Sequence, residues 1–348
     1  MSVLFGNGGA TSTYLLLYLV TWIAHLVLAG AVVGGAIAVA VAALRKGRPA
    51  SRWRQAAALL RRELPLLLGL AITAGVAPLL FVQILYREAF YTANLLMHVR
   101  FLAILPALLV CFYLLYLGKT ERGRRFAGLI YSVAALAALF VGYSFSELHS
   151  LAIEPQLWLS KYESKELVHA DIAVVARHLA FLGIAGACTA LVAAWVGRWR
   201  RDSSASSLAP IAIAGIAVAV IGAALAGRSL GPINGPPVAH LIGGVVAAIA
   251  AAVAWGVIAA RREAAGWPLF AATASTLGFL WCLAIAREVI RAERLDLSSL
   301  AARHSSTAEH GGAWLFAAFL LINGCGVAWC ITRAWRARRE TPSARETQ

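Results

Sequence analysis

Residues 75–101 read GVAPLLFVQILYREAFYTANLLMHVRF. An apolar helix end carrying Pro78 and Gln83 gives way to Arg87 and Glu88, then to an aromatic pair, Phe90 and Tyr91, and then to a second apolar run opening on His98 and Arg100. Charged and aromatic side chains between two apolar runs suit a chain that leaves a bilayer, turns at its surface and re-enters. The stretch therefore predicts a polytopic membrane protein with a short turn at Arg87 and Glu88 between two spans. It also gathers His, Arg, Glu and Tyr at one membrane face.

The rest of the chain fits that fold class. Of 348 residues, 61% are hydrophobic and 14% charged, with a mean hydropathy of +0.76, outside the usual range of a soluble domain. Apolar runs near 14–43, 64–86, 95–118, 126–146, 172–196, 208–227, 238–260, 267–286 and 313–333 are each long enough to cross a hydrocarbon core of roughly 30 Å. They lack the alternation of a membrane barrel, so the prediction is an all-α transmembrane helix bundle of about nine spans. No Lys or Arg precedes Arg45 and no small-residue cleavage site follows the first run, which reads as a retained span.

Charge placement orients the bundle. Alternation puts 45–63, 119–125, 198–202, 261–263 and the tail from 333 on one side, and these hold 21 of the 31 Lys and Arg against six acids. The other side holds ten of each, so the whole net charge of +15 lies on one face. That face is expected in the cytoplasm, with the N-terminus outside and the C-terminus inside a bacterial inner membrane. The basic excess marks topology and attraction to anionic lipid, and no nucleic-acid partner is implied. Residues 1–348 form a single transmembrane domain with an outer interfacial segment at 146–171 and a basic cytoplasmic tail at 334–348. A second outer connection from Glu288 begins with Glu288, Arg291, Glu293 and Arg294 at helical spacing, which predicts the eighth helix continuing out of the membrane. A third, 231–237, reads GPINGPP, a rigid turn. The five cysteines sit in apolar runs and make no haem-attachment or disulfide pattern.

Two kinds of site are compatible with the outer face. His25, His98, His178 and His240 enter from that side on four spans, and neutral imidazoles from facing helices are what a b-type haem needs. His25 and His178 are the candidate iron ligands, followed by His98 and His240, with Arg100 and Arg177 placed to hold propionates. No helix carries two histidines at the spacing of a two-haem ladder, so one haem near the outer face is the most the pattern supports. The alternative needs no metal: Gln83, Tyr86, Glu88, Glu147 and His149 supply the bases and aromatic wall of a quinol pocket. Each of these residues also has a plain reading, as an interfacial side chain bonded to a loop carbonyl or to water.

The run APLLFVQILYREAFYTANLLM (77–97) resembles a segment of uncharacterised bacterial polytopic membrane proteins found alongside multihaem c-type cytochromes. The resemblance extends to Leu151, Pro155 and Trp158 in the outer loop and to Arg177 in the fifth span, covering about the first 200 residues. It implies membership of a membrane electron-transfer assembly. The expected function is thus a membrane subunit of a respiratory or related electron-transfer complex, binding haem b or quinone near the periplasmic face and docking a periplasmic c-type cytochrome or other redox subunit. The rival classes are a transporter or channel subunit and a non-redox anchor or scaffold. Pro78 has no counterpart in the second half and midplane acids are missing, which weakens the transporter.

Overall fold

Backbone groups left unpaired in hydrocarbon are costly, so each apolar run folds into a helix that bonds its own backbone. The computed structural model describes residues 9–45, 51–229, 236–309 and 312–340, and among them it contains helices and no strand. In chain order the helices are α1 (Gly9–Leu44), α2 (Arg52–Leu85), α3 (Arg87–Leu96), α4 (Val99–Lys119), α5 (Ala127–Ala152), α6 (Trp158–Ser164), α7 (Ile172–Arg200), α8 (Ala209–Ser229), α9 (Pro236–Arg261), α10 (Gly266–Arg294), α11 (Ala301–Glu309) and α12 (Gly312–Glu340), besides single turns. Eight of them, α1, α2, α4, α5 and α7 to α10, are long and apolar enough to cross a bilayer, which makes this a multi-pass membrane protein. In α12 a shorter apolar stretch covers Trp314–Gly326. Residues 341–348 of the basic tail, most of the expected 231–237 turn and His310 lie outside the described residues.

Short connections make successive spans antiparallel, so the C-terminus of α1 at Leu44, the N-terminus of α2 at Arg52 and the links 120–126, 201–208 and 262–265 share one end, called here the basic end. There Arg61 Nε of α2 donates to Gly118 O of α4 at 2.9 Å. The links 86–98, 153–171 and 295–300 share the other, the loop end.

The bundle has an inside and a lipid-facing outside. More than half of the most apolar stretch of α1 and α7 is buried in protein, 56% and 61%, against 22% for α4. α1 runs through the middle, touching α2, α5, α7, α10 and α11. It approaches α7 so closely at Gly34 that a Cβ there would lie 2.6 Å from the Ala185 carbonyl oxygen. Small residues at this contact allow the approach, as expected where helices associate in lipid by packing alone.

Three segments differ from the sequence expectation. The turn at Arg87 and Glu88 is the start of α3, a ten-residue helix that buries Ala89, Phe90 and Ala93 on one face. Apolar residues three and four apart favour a helix lying on the bundle over a tight reversal. α2 begins at Arg52, a dozen residues before its apolar run, because Ala56, Ala57, Leu59 and Leu60 bury a stripe of the basic segment. α10 does continue to Arg294, but Glu288 and Arg291 do not emerge with it: they are 0% and 5% exposed. The interfacial segment is formed as expected, α5 ending at Ala152 and α6 presenting exposed Leu159 and Tyr162, while Trp158 Nε1 donates to Leu151 O at 2.8 Å.

Candidate functional site

The loop end holds a buried polar network drawn from four spans and the residue that ends α2. At its centre Arg291 of α10 donates through Nη1 to both carboxylate oxygens of Glu288, at 3.3 and 3.2 Å, and to the Tyr18 hydroxyl of α1 at 3.1 Å. Its Nη2 donates to Nδ1 of His149 on α5 at 2.5 Å. That bond occupies the Nδ1 lone pair, so the proton of the neutral ring sits on Nε2. Arg287, one turn back on α10, donates to the same Tyr18 hydroxyl at 2.6 Å and lies over the Trp22 ring, its Cζ 3.9 Å from the centroid. The Arg291 Cζ lies 5.2 Å from the centroid of Tyr86, which is buried. Arg177 of α7 donates to Ser150 Oγ, and its Nη2 is buried with no hydrogen-bond partner, as is Nε of Arg287.

Why these side chains meet follows from helix geometry. Tyr18 and Trp22 are one turn apart on α1, and Arg287, Glu288 and Arg291 share one face of α10 at i, i+1 and i+4. Buried ionised groups are tolerated only when paired and hydrogen-bonded. Glu288 meets that condition through two arginines, with Arg287 Nη2 3.6 Å from its Oε2. The centre therefore carries more guanidinium than carboxylate, with an imidazole, two phenols and an indole around it.

A second cluster sits beside it. Glu147, 2% exposed, accepts the His169 backbone N–H at 2.5 Å and pairs with Arg100 at the start of α4. Arg100 also donates to Leu167 O at 3.2 Å, and Tyr143 donates its hydroxyl to His169 O at 3.2 Å. The loop before α7 is thereby tied to α4 and α5. A third contact closes the end: His304 of α11, 2% exposed, lies 3.1 Å from Leu85 O through Nε2 and 2.9 Å from Thr11 Oγ1 through Nδ1. A carbonyl only accepts, so Nε2 carries the proton and Nδ1 accepts from the threonine. Burial holds this imidazole below its ordinary pKa, with the Arg303 charge adding to the shift.

The expected site residues divide between these clusters and elsewhere. Tyr86 and His149 join the central network, while Glu147 and Arg100 form the neighbouring ion pair. Glu88 is at the surface, bonded at 2.8 Å to Arg303 with both side chains more than half exposed, and Gln83 accepts from the Tyr91 hydroxyl at 3.4 Å. Among the imidazoles, His25 Nδ1 lies 2.9 Å from Ala71 O of α2, and its ring rests on Gly75, where a Cβ would come within 2.8 Å. Nδ1 therefore carries the proton and Nε2 keeps its lone pair, the arrangement that a carbonyl accepting from Nδ1 imposes on a metal-ligating histidine. His178 instead faces α5, 5.6 Å from the Tyr143 ring and 5.9 Å from Phe181, with Nδ1 buried and unpartnered. The two rings lie against different helices. His240 on α9 is half-buried, and His98 is exposed at a positive φ of 50° where α3 gives way to α4.

Tyr18, Trp22, Glu288 and Arg291 are the functional candidates that the sequence did not single out. Their signal was present: Glu288 and Arg291 stand three apart among Ala284, Ile285, Ala286, Val289 and Ala292, all buried. A charged pair inside an apolar stripe is turned inward. An open groove lined by Arg62, Trp199, Arg200 and Arg201 lies at the opposite, basic end. No family model matches the chain, and no curated protein or solved structure matches it either.

Proposed function

We propose that the protein is the membrane subunit of a respiratory or related electron-transfer complex in a bacterial inner membrane. In this assignment it has nine spans, an outer N-terminus and a cytoplasmic C-terminus. The loop end is the periplasmic face, where the subunit binds quinol and docks a c-type cytochrome or another redox subunit. Support for the orientation comes from the 21 Lys and Arg at the opposite side.

The observation that carries the function is the buried carboxylate, guanidinium and imidazole set of Glu288, Arg291 and His149. Oxidation of a quinol releases two protons and two electrons. Glu288 is the base that takes the two protons in turn and hands them to water at the loop end, His149 donates its Nε2–H to a quinol oxygen, Tyr86, Tyr18 and Trp22 form the aromatic wall, and the electrons leave to the docked cytochrome. Desolvated ionisable groups at this depth are expensive and are kept where they serve a site.

A haem b ligated through Nε2 of His25 is a further part of this proposal, favoured by the Ala71 carbonyl on Nδ1. A reduced-minus-oxidised spectrum of the purified protein tests it. A b-type α-band lost in His25→Ala supports the haem, and the absence of Soret absorbance removes it and leaves the quinol site. A second reading, passage of an anion, is favoured by the unpartnered nitrogens of Arg177 and Arg287. Anaerobic mixing with a short-chain quinol and a soluble c-type cytochrome separates the two: electron-transfer activity lost in Glu288→Gln supports the redox subunit, and none in the unaltered protein refutes it.

A further inference from the structure

Away from the central network, the linker between α5 and α7 brings together three residues with metal-ligating atoms. Glu154 follows the end of α5, while His169 and Asp171 precede α7. One oxygen from each carboxylate and one imidazole nitrogen all lie within 4.8 Å of one another. We infer that Glu154, His169 and Asp171 bind one divalent transition-metal ion of the zinc class, which staples α5 to α7 at the loop end.

Three features carry the assignment. First, His169 is only 9% exposed, yet its Nε2 has no hydrogen-bond partner. A buried imidazole nitrogen left without a partner is rare, and a ligand is one of the few things that satisfy it. Second, the histidine is fixed by its backbone, through the N–H to Glu147 and the C=O from Tyr143, so the side chain is positioned without using its own polar atoms. Third, the donor set has the right chemistry. Two carboxylates and a neutral imidazole carry the charge that offsets a divalent cation, and mixed N and O donors suit Zn2+ or Mn2+ over the oxygen-seeking Ca2+. Lys161, the basic side chain of the linker, is engaged by Glu166. With three protein ligands, the fourth position is open to water.

The test uses tag-free, full-length protein in detergent, stripped with a chelator and then equilibrated with Zn2+, Mn2+ or Ca2+ before free metal is removed. Elemental analysis is expected to find about one Zn2+ retained per protein and no retention of Ca2+. His169→Gln and Asp171→Asn each weaken Zn2+ binding by at least about tenfold. Zn2+ raises the melting temperature of the unaltered protein and leaves that of His169→Gln unchanged. Because the His169 backbone makes the structural bonds, this variant melts with the stripped unaltered protein when chelator is present. Glu154→Gln, on the other side of the linker, provides a second variant and loses the Zn2+-dependent rise in the same way. Failure of the unaltered protein to retain Zn2+ overturns the inference, as does equal retention by His169→Gln and Glu154→Gln.

Discussion

At the basic end Arg200 of α7 meets Glu63 of α2 with both side chains partly open, 26% and 13% exposed. At the loop end Arg291 meets Glu288 with almost nothing open, 6% and 0%. The residue types are the same and the energetics are opposite. A partly solvated pair keeps part of its hydration and contributes less, so its main consequence is the placement of charge near lipid headgroups. A buried pair has given up its hydration and persists only because every charge finds a partner. The loop end is therefore where loss of one side chain leaves the others stranded, and where a ligand that needs fixed charge would bind.

The comparison breaks most visibly at Arg291. Arg291→Leu leaves Glu288 only the longer 3.6 Å contact with Arg287 and should cost about 3–5 kcal/mol, read as a lowered unfolding midpoint in detergent. Arg200→Leu should cost nearer 1 kcal/mol. If the two variants melt together, the distinction between the ends fails. Combining Glu288→Gln with Arg291→Met should recover a large part of the loss, since no charge is then left buried alone.

Glu147→Ala comes next, because it removes both the Arg100 pair and the acceptor for the His169 N–H. A loss of roughly 2–3 kcal/mol is expected, with earlier proteolysis in the 153–171 linker as an independent measure.

His304 gives the comparison a pH dependence. Its imidazole is held neutral in the fold, below its ordinary pKa, so the unfolded chain binds the proton first. The stabilisation is fully present above about pH 6.5 and is lost as pH falls through the folded-state value. Melting temperature should therefore drop on acidification below that point, and the acid-sensitive part should vanish in His304→Gln. An unchanged slope in the variant would remove His304 as its source. Smallest of all, Arg303→Ala should change stability by less than about 1 kcal/mol, since Arg303 and Glu88 are both in solvent.

Much of the architecture was legible from hydropathy, because hydrocarbon admits only self-bonded helices. Which helices pack was not, and α7 is the helix that Gly30 and Gly34 of α1 meet. The site was legible only in part. Tyr86, Glu147 and His149 stood out as polar residues at apolar helix ends, but a carboxylate at such an end reads alike whether it faces water or protein. Glu88 and Glu288 make the point: each is followed by mixed polar and apolar residues, and one is 72% exposed while the other is 0%. What separates them is the stripe of Ala284, Ile285, Val289 and Ala292 around Glu288, which is visible in sequence once the helix is drawn through it. The partners of His25 and His178 were not legible, since spacing along one helix cannot say which neighbour a ring will face.

The most direct measurement is equilibrium binding of a short-chain quinol analogue to the purified protein by titration calorimetry, comparing variants at the two ends. Saturable binding should weaken by at least about tenfold, or 1.4 kcal/mol, in Glu288→Gln and in His149→Gln, and should be unchanged in Arg62→Gln. Binding that is absent from the unaltered protein, or that survives in both loop-end variants, would contradict the assignment of quinol chemistry to this network.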